Sequence, residues 1–369
     1  MTTILFYSPF NQRSRDTESL MLAFHKQGHR IISLSQQEGF LINDFLKSNG
    51  IAAHSFVVAG PRSGWWYYFR HLLYFIRFCW RNNIDIVYSH LEPANFVASI
   101  GQYVIRSKVY LCRHHIDEGN LYQFDRDLSY RVTYRLAKNI IVVSAHARRY
   151  MIEKEGIPKA KIEHINLAYD FELYPKPELS NVITIRNQFP CDALLVSACR
   201  LTAFKRPEIS IQTLKVLIDK GVDAKLVLLG KGELHETLQK LVSDLNLNDR
   251  VSMPGFVSNV LEYIAAGDFF LHPSLLDSSC VAVKEAGLVN KPVIVCKGIG
   301  DFDDYIINGK NGFAVNQESF SEEATDIIVK HQKEAEYLKD VGMNLKGDVL
   351  RLFSIENILP YYTSLNKPD

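Results

Sequence analysis

Short apolar runs alternate with longer amphipathic segments along the first part of the chain. The runs are rich in β-branched and aromatic side chains, which is typical of buried strands, and the segments between them carry apolar residues at helical spacing. The predicted strands cover residues 4–7, 30–34, 54–58, 85–89, 109–112, 140–144 and 162–165, and the predicted helices cover 18–27, 44–48, 65–81, 95–105, 128–136 and 145–155. This alternation predicts a parallel sheet with helices on both faces.

A polar stretch marked by prolines, residues 174–181, interrupts this pattern, and a second alternation follows. Its predicted strands cover residues 194–198, 225–229, 251–253, 269–272 and 293–295, with helices starting near 207, 234, 259, 281 and 322. We therefore predict an α/β protein with two doubly wound, Rossmann-like domains, residues 1–175 and 185–350, joined near residues 172–190. Ligands of such sheets bind at the carboxyl ends of strands, so chemistry is expected in the loops that follow them.

Composition and charge agree with two globular domains. The chain has 369 residues, of which 47% are apolar and 22% charged, which excludes disordered and collagen-like proteins. The net charge of +1 argues against nucleic-acid binding. The two halves of the chain have opposite net charges. Residues 1–185 carry 22 basic and 16 acidic side chains (+6), and residues 186–369 carry 20 and 25 (−5).

The cysteines and the apolar segments predict a cytoplasmic protein. Six cysteines are scattered without the Cys-x-x-Cys spacing of a zinc site, as expected for buried thiols in a reducing compartment. The N-terminus has the pattern of a first strand and lacks the features of a secretory signal. The most apolar stretch, residues 65–80, is interrupted by Arg70, His71 and Arg77, so we expect no transmembrane helix.

Three loops of the second domain have residues suited to a nucleotide. Arg200 and Lys205 lie between a predicted strand and a helix that starts at Pro207; cations beside a helix N-terminus favour a diphosphate, although a solvated basic loop has the same composition. Gly230 lies in a Gly-Lys-Gly turn, where a flat ligand could approach the backbone. Gly255, Phe256 and Val257 follow the next strand and border the same predicted pocket.

The fourth loop carries two carboxylates eight residues apart, Asp277 on the loop and Glu285 about one turn into the following helix. Backbone amides of Ser279, Cys280 and Val281 between them would meet a phosphate or a sugar. The alternative is a helix cap and a solvated helix residue that share this spacing without a ligand.

These motifs resemble those of the retaining glycosyltransferases of family 4, which have the GT-B architecture of two Rossmann-like domains facing each other across a cleft. The resemblance covers residues 1 to about 360 and is strongest between 198 and 315. The family's Glu-x7-Glu motif is matched by Asp277 to Glu285, its Arg and Lys pair by Arg200 and Lys205, and its two glycine- and proline-marked segments by residues 290–294 and 306–315. Asp in place of the first Glu, and Ser279-Cys280 in place of Phe-Gly, depart from the family pattern.

The resemblance implies a role for each residue. Arg200 and Lys205 would neutralise the leaving diphosphate, Glu285 would bind the ribose and Asp277 the transferred sugar, while the amides of Ser279, Cys280 and Val281 would hold the phosphate or sugar. Gly230, Gly255, Phe256 and Val257 would border the base. No metal and no other cofactor is expected, and Asp301-Phe-Asp303 is interpreted as incidental. A C-terminal helix, residues 352–369, is expected to pack back on the first domain.

His114 and His115 follow a strand of the first domain, where this family places an active-site histidine. Strand register favours His114, with His115 as the alternative, and an isolated pair of this kind is also common without a catalytic role. The polar, basic loop that follows the first strand is expected to face the acceptor, and it lacks the glycine pair of many relatives.

An aromatic helix, residues 65–81, has two interpretations. It is either a core helix of an aromatic-rich domain or an interfacial surface in which Trp65, Trp66, Arg70 and Arg77 meet an anionic membrane that carries a lipid-linked acceptor. Under the second interpretation, the protein would be peripherally associated with the inner face of the membrane.

The sequence therefore predicts a retaining, metal-independent glycosyltransferase that moves a hexose-type sugar from a UDP- or GDP-sugar to a glycan or lipid-linked acceptor, in polysaccharide or lipopolysaccharide synthesis. The alternatives are a GT-B nucleotide-sugar epimerase and a non-catalytic scaffold that binds sugar nucleotides. An oxidoreductase is disfavoured, because no Gly-x-Gly-x-x-Gly follows the first strand.

Overall fold

A computed structural model describes residues 1–10, 13–38, 41–59, 64–114 and 128–366. The chain divides into two compact units: Met1–Phe171 together with Phe353–Asp369, and Glu172–Leu352. Each unit has its own parallel sheet.

The first unit is built on a sheet of seven described strands in the order β3-β2-β1-β4-β5-β6-β7. The strands are β1 Thr3–Ser8, β2 Arg30–Ser35, β3 Ala52–Ser55, β4 Ile86–His90, β5 Lys108–Arg113, β6 Asn139–Val142 and β7 Ile162–His164. The strand predicted over 54–58 begins two residues earlier, at Ala52, and ends at Ser55. Its pairing with β2 runs from Ile32↔Ala52 to Ser35↔Ser55, so β3 ends where β2 ends.

Helices cover both faces of this sheet. They are α1 Arg15–Lys26, α2 Leu41–Ser48, α3 Trp65–Asn82, α4 Ala94–Gly101, α5 Leu128–Leu136 and α6 Ala145–Glu153, with α15 Ile355–Leu365 from the end of the chain. Alternate side chains of β1 enter two separate apolar clusters: Leu5 and Tyr7 one, Ile4 and Phe6 the other. The period of two along a strand thus produces a core on each side of the sheet.

Helix α15 belongs to the first unit. Its buried Ile355, Ile358 and Tyr362 join one of the two clusters. Beyond it, the Tyr88 hydroxyl donates to Asn366 Oδ1 at 2.6 Å, and Tyr110 donates to the Leu365 carbonyl at 2.7 Å. Two central strands of the sheet therefore hold this end of the chain.

The second unit repeats the same architecture, with described strands in the order β10-β9-β8-β11-β12-β13. They are β8 Ala193–Ala198, β9 Ala224–Leu229, β10 Val251–Gly255, β11 Phe269–His272, β12 Val293–Cys296 and β13 Phe313–Val315. The helices are α7 Leu179–Gln188, α8 Pro207–Asp219, α9 His235–Asp244, α10 Val260–Ala266, α11 Val281–Leu288, α12 Phe302–Tyr305, α13 Phe320–His331 and α14 Ala335–Phe353. The predicted α/β fold with two doubly wound parallel sheets is confirmed.

The segment interpreted as a joining stretch, residues 172–190, contains helix α7. Its only buried residue is Ile185, so its sequence shows little helical periodicity. Tertiary contacts hold it instead: the Asn181 side chain donates to Glu262 Oε1 at 2.9 Å, and the Glu178 amide donates to the same oxygen at 3.3 Å.

Membrane crossing finds no support in the described part of the chain, where no helix combines the length and the hydrophobicity that a bilayer span requires.

Candidate active site

The strand order reverses at one point in each sheet, between β1 and β4 in the first unit and between β8 and β11 in the second. Loops leaving such a pair run in opposite directions and open a crevice at the carboxyl edge, where ligands of this architecture bind. In the second unit these are the loops that carry Arg200 with Lys205, and Asp277 with Ser279.

Lys205 and Asp277 form an ion pair across this reversal point. The Lys205 ammonium lies 2.5 Å from Asp277 Oδ2, and both side chains are largely buried. The same oxygen lies 2.8 Å from Nε2 of His272, the last residue of β11. The Ser278 amide donates to the other carboxylate oxygen at 3.2 Å. One carboxylate therefore organises two cationic side chains and a backbone donor.

The charges of this cluster reinforce one another. Burial alone would raise the pKa of Asp277, but Lys205 and His272 outweigh it and hold that pKa well below its usual range. Burial also opposes the charge on Lys205, yet Asp277 raises the pKa of the lysine. For His272, burial is outweighed by Cys280 and Asp277, and its pKa rises to about 9. Lys205 and a protonated His272 thus flank the single carboxylate of Asp277.

Arg200 adds a further cation on the same loop. Phe204 lies between the two basic residues in sequence: the Arg200 guanidinium carbon lies 5.6 Å from its ring centre and Lys205 Nζ lies 5.7 Å from it. Arg200 is exposed, whereas Lys205 is largely buried. The loop thus offers one accessible and one fixed cation, an arrangement suited to a diphosphate.

His272, Asp277 and Cys280 are close enough for a metal ion to be considered among the described residues. His272 turns Nε2 towards Asp277 and Nδ1 towards Cys280, whose sulfur lies 3.9 Å away. Asp277 Oδ2 already accepts a hydrogen bond from the Lys205 ammonium. This geometry favours a hydrogen-bonded cluster over a metal centre.

A second buried ion pair supports the loop before α11. Lys284 Nζ donates to Asp301 Oδ2 at 2.6 Å, and the Ser279 hydroxyl donates to the same oxygen at 2.6 Å. Both charged side chains are fully buried. Asp301, interpreted from sequence as incidental, thus anchors a predicted donor-binding residue. His272 was not predicted from the sequence, although it lies at the carboxyl end of a strand, where functional residues were expected. The pair of Lys284 and Asp301 was not predicted either, because no local sequence pattern indicates it.

Packing between neighbouring loops requires a glycine at position 230. Its φ is +128°, and a Cβ there would lie 1.9 Å from the Cys199 carbonyl oxygen. A Cβ at Gly232 would lie 2.3 Å from the Leu201 carbonyl oxygen. The Gly230 amide also donates to the Gly255 carbonyl at 2.9 Å. The loops after β8, β9 and β10 are therefore bound together at one edge.

The other predicted donor-binding residues lie along this edge of the second sheet. Phe256 follows Gly255 with 73% of its surface exposed, and Val257 is half-buried. Cys280 precedes α11, Val281 is its first residue, and Glu285 lies in its second turn. The predicted residues of the second unit thus lie on consecutive strand-end loops or, for Val281 and Glu285, in the first two turns of α11.

In the first unit, His114 directly follows β5 and meets His90 at the end of β4. His114 Nε2 and His90 Nδ1 are 2.9 Å apart. Burial lowers the pKa of both imidazoles, with Asp16 acting in the opposite direction on His114. His115 lies outside the described residues, so only His114 of the predicted pair can be placed.

Arg113, next to His114, is completely buried. It forms two hydrogen bonds with the Glu155 carboxylate, at 2.5 and 2.8 Å, and its guanidinium carbon lies 4.9 Å from the ring centre of Tyr134. This residue is a structural anchor of β5. In the loop after β1, Arg13 is likewise paired with the buried Glu18, at 2.6 Å, which neutralises part of that loop's basic character.

Helix α3 has one buried and one exposed face. Tyr67, His71, Phe75 and Phe78 are buried, whereas Trp65 and Trp66 are 65% and 60% exposed and stack on each other. The other exposed residues of this face are Phe69, Arg70, Leu73, Arg77, Trp80 and Arg81. The helix is therefore both a core element and an exposed aromatic and basic surface, which we call the α3 surface.

Two family models match most of the chain. Residues 14–173 match the model described as glycosyltransferase family 4, and residues 184–344 match the model described as glycosyl transferases group 1.

Curated relatives and a solved structure agree with these matches. An uncharacterized glycosyltransferase of Methanocaldococcus jannaschii is 28% identical over 62% of this chain and 62% of its own length. A putative colanic acid biosynthesis glycosyltransferase of Escherichia coli, WcaL, is 27% identical over 57% of this chain and 52% of its own. The chain thus spans between half and two thirds of the length of these relatives. Anabaena HepE, solved in complex with UDP, superposes with a TM-score of 0.84 over 99% of both chains at 20% identity, so the predicted GT-B fold is confirmed.

Proposed function

Because this chain belongs to the glycosyltransferases described by the group 1 and family 4 models, we propose that it transfers a hexose-type sugar from a nucleoside diphosphate sugar to a glycan or lipid-linked acceptor, with retention at the anomeric carbon. The observation that carries the proposal is the cluster of Lys205, Asp277 and His272 at the reversal point of the second sheet.

The cluster matches the charge of the donor's diphosphate. Lys205 and a protonated His272 flank the single carboxylate of Asp277, and Arg200 adds a cation on the loop of Lys205. A diphosphate brings negative charge that grows on the leaving oxygen as the glycosidic bond breaks, and fixed cations stabilise that change most. Arg200 and Lys205 would hold the diphosphate, Glu285 the ribose, and Asp277 the transferred sugar.

The reaction replaces one bond at the anomeric carbon by another. The bond from that carbon to the β-phosphate oxygen breaks, and a bond to the acceptor's hydroxyl oxygen forms on the same face. The hydroxyl proton passes to the departing phosphate oxygen, so no side chain has to act as a nucleophile. His114, a neutral imidazole in the first unit, would contact the sugar hydroxyls.

The donor is proposed to be a UDP-sugar or a GDP-sugar. The UDP complex of HepE supports the first base. The resemblance to WcaL, named for colanic acid biosynthesis, supports a role in making a cell-surface polysaccharide or lipopolysaccharide.

Donor consumption tests the proposal. Purified protein is incubated with UDP- and GDP-sugars and acceptor extracts, and release of nucleoside diphosphate and the linkage formed are measured. Lys205→Ala and Glu285→Ala should lower turnover at least 100-fold, as expected for groups that stabilise the transition state. Lys215→Ala is the matched control, because Lys215 is also paired with an aspartate in this unit but lies in α8 away from the reversal point.

The same experiment separates the alternatives. A donor recovered as its epimer, with no new glycosidic bond, would identify a nucleotide-sugar epimerase. Binding of donors without consumption, in the presence of every acceptor extract, would identify a scaffold and refute the proposal.

We also propose that the α3 surface contacts an anionic lipid bilayer from the cytoplasmic side. Tryptophans prefer the interfacial region of a bilayer and arginines pair with anionic headgroups. Trp65, Trp66, Arg70 and Arg77 present both groups on one exposed face. This contact would bring the first unit to a lipid-linked acceptor.

Vesicle binding tests the membrane contact. The protein should sediment with anionic vesicles at low salt and be released at high salt, since the headgroup attraction is screened. Arg70→Glu with Arg77→Glu should abolish sedimentation, whereas Lys215→Glu in the second unit should leave it unchanged. Failure of the wild-type protein to bind anionic vesicles at low salt would refute the contact.

A further inference from the structure

Two histidines at the ends of neighbouring strands meet in the first unit. Strand β4 ends at His90, whose Cα partner on β5 is Cys112. Because side chains two residues apart point to the same face of a strand, His114 comes next to His90 just past the end of β5. Their Nδ1 and Nε2 atoms are 2.9 Å apart, and the ring centres are separated by 5.2 Å.

We propose that His90 is a positioning residue that orients the imidazole of His114 and selects its tautomer. Its catalytic consequence rests on the proposed function, in which His114 contacts the donor sugar. The family resemblance singled out a histidine after β5 and gave His90 no role.

The hydrogen bond between the rings leaves two tautomeric arrangements. Either His90 Nδ1–H donates to His114 Nε2, or His114 Nε2–H donates to His90 Nδ1. His90 is buried, and its Nε2 has no hydrogen-bond partner among the described residues. In the second arrangement that buried Nε2 would carry a proton without an acceptor, which is rarer in proteins than an unsatisfied acceptor. The first arrangement is therefore favoured, and His114 carries its proton on Nδ1.

The surroundings of the pair hold both rings in place and keep them neutral. Phe6 stacks on His90 with ring centres 6.0 Å apart. The other ionisable groups that line the small cavity beside the pair are Asp16 of α1, Cys112 of β5 and Tyr362 of α15. Burial lowers the pKa of both histidines, while Asp16 acts against this on His114. His114 would thus donate a hydrogen bond to the sugar from a neutral ring with a fixed orientation.

Steady-state kinetics test the proposal. His90→Leu removes the donor, and His90→Asn keeps an N–H near the position of Nδ1. His90→Leu should lower kcat/KM about tenfold, the effect of one lost hydrogen bond. A donor to Nε2 favours the neutral form of His114, so its loss should also move the acid limb of the pH profile to higher pH. His90→Asn should restore both quantities towards the wild-type values. A role confined to packing would not move the acid limb.

A matched control is His71→Leu, which removes another buried imidazole of the first unit that is not bonded to His114. It should leave the acid limb in place. Wild-type kcat/KM and pH profile in His90→Leu would overturn the proposal while leaving the proposed glycosyl transfer intact.

Nitrogen NMR of the histidine side chains reads the tautomer without any substrate, with His114→Gln used for assignment. Wild-type protein and His90→Asn should both show His114 protonated on Nδ1. Protonation on Nε2 in the wild-type protein would overturn the proposal, even if His90→Leu fails to fold or no donor is consumed.

Discussion

Asp277 is the residue that holds the buried polar cluster of the second unit together. It accepts from Lys205 and from His272 through one oxygen and from the Ser278 amide through the other. Aspartate is one methylene shorter than the glutamate of the family pattern, and here it is fixed by these partners. A sugar that displaces part of this network would exchange one set of hydrogen bonds for another, which makes Asp277 a candidate determinant of sugar selection.

The pKa of His272 is a prediction at this scale. It should lie near 9 in the wild-type protein and be lower in Asp277→Asn, which loses the carboxylate and leaves Cys280 as the remaining group that opposes burial. A pKa raised by folding stabilises the protein fully below pH 6.5, and this contribution is lost as the pH rises through 9. NMR titration of the imidazole measures the value, and a pKa near 6.5 in both proteins would contradict the prediction.

Lys284 and Asp301 lead to a prediction about stability. Lys284→Met leaves the buried Asp301 charge without its partner, and such a loss costs about 3–5 kcal/mol of unfolding free energy. The double variant Lys284→Met with Asp301→Asn removes both charges and should recover most of the loss. Urea unfolding of the three proteins compares them, and equal stability of wild type and Lys284→Met would show that the pair contributes little.

At the scale of the elements, the C-terminal helix α15 completes the core of a unit whose other elements precede residue 172. Tyr362 is 4% exposed and packs edge-on against Tyr88, with ring centres 5.5 Å apart. Its neighbour Tyr361 is 61% exposed. The helix therefore contributes through one face, as its amphipathic pattern requires.

This pair of tyrosines offers an internal comparison. Tyr362→Ala should lower the unfolding free energy by about 3–5 kcal/mol, the usual cost of truncating a buried aromatic side chain. Tyr361→Ala should change it by less than about 0.5 kcal/mol. Thermal unfolding followed by circular dichroism measures both, and similar melting temperatures of the two variants would contradict the assignment of the buried face.

At the scale of the whole molecule, the two units differ in how the chain builds them. The second unit is one continuous segment, Glu172–Leu352, whereas the first combines Met1–Phe171 with Phe353–Asp369. The first unit, which includes the α3 surface, has 22 basic and 16 acidic side chains (+6), whereas the second has 20 and 25 (−5). Donor chemistry and membrane contact are thus proposed for separately built parts of one chain.

This difference predicts how fragments behave. A fragment of residues 172–352 keeps its sheet and core, so it should unfold cooperatively and bind UDP. A fragment of residues 1–171 lacks Tyr362 and its neighbours, and should be folded only when residues 353–369 are restored. Circular dichroism and calorimetric titration with UDP test both, and a fully stable fragment 1–171 would contradict the role given to α15.

Much of this protein could be predicted from local sequence. Alternating apolar runs and amphipathic segments determine two parallel sheets, because strand and helix periods are properties of the chain itself. The loops that carry Arg200, Lys205, Asp277 and His114 could also be identified as candidate sites. Each follows a predicted strand, and a parallel sheet places such loops at one edge. The weakly periodic helix α7 escaped this reasoning, because contacts with Glu262 hold it in place.

Only the tertiary structure decided which side chains meet. Lys205 and Asp277 are 72 residues apart, and Lys284 and Asp301 are 17 apart, so strand order brings each pair together. His90 and His114 come into contact because β4 and β5 are neighbours in register. Gly230 likewise owes its identity to the carbonyl of Cys199 on an adjacent loop. Periodicity acts along the chain, whereas ion pairs and close packing depend on distance in space, which the order of the strands sets.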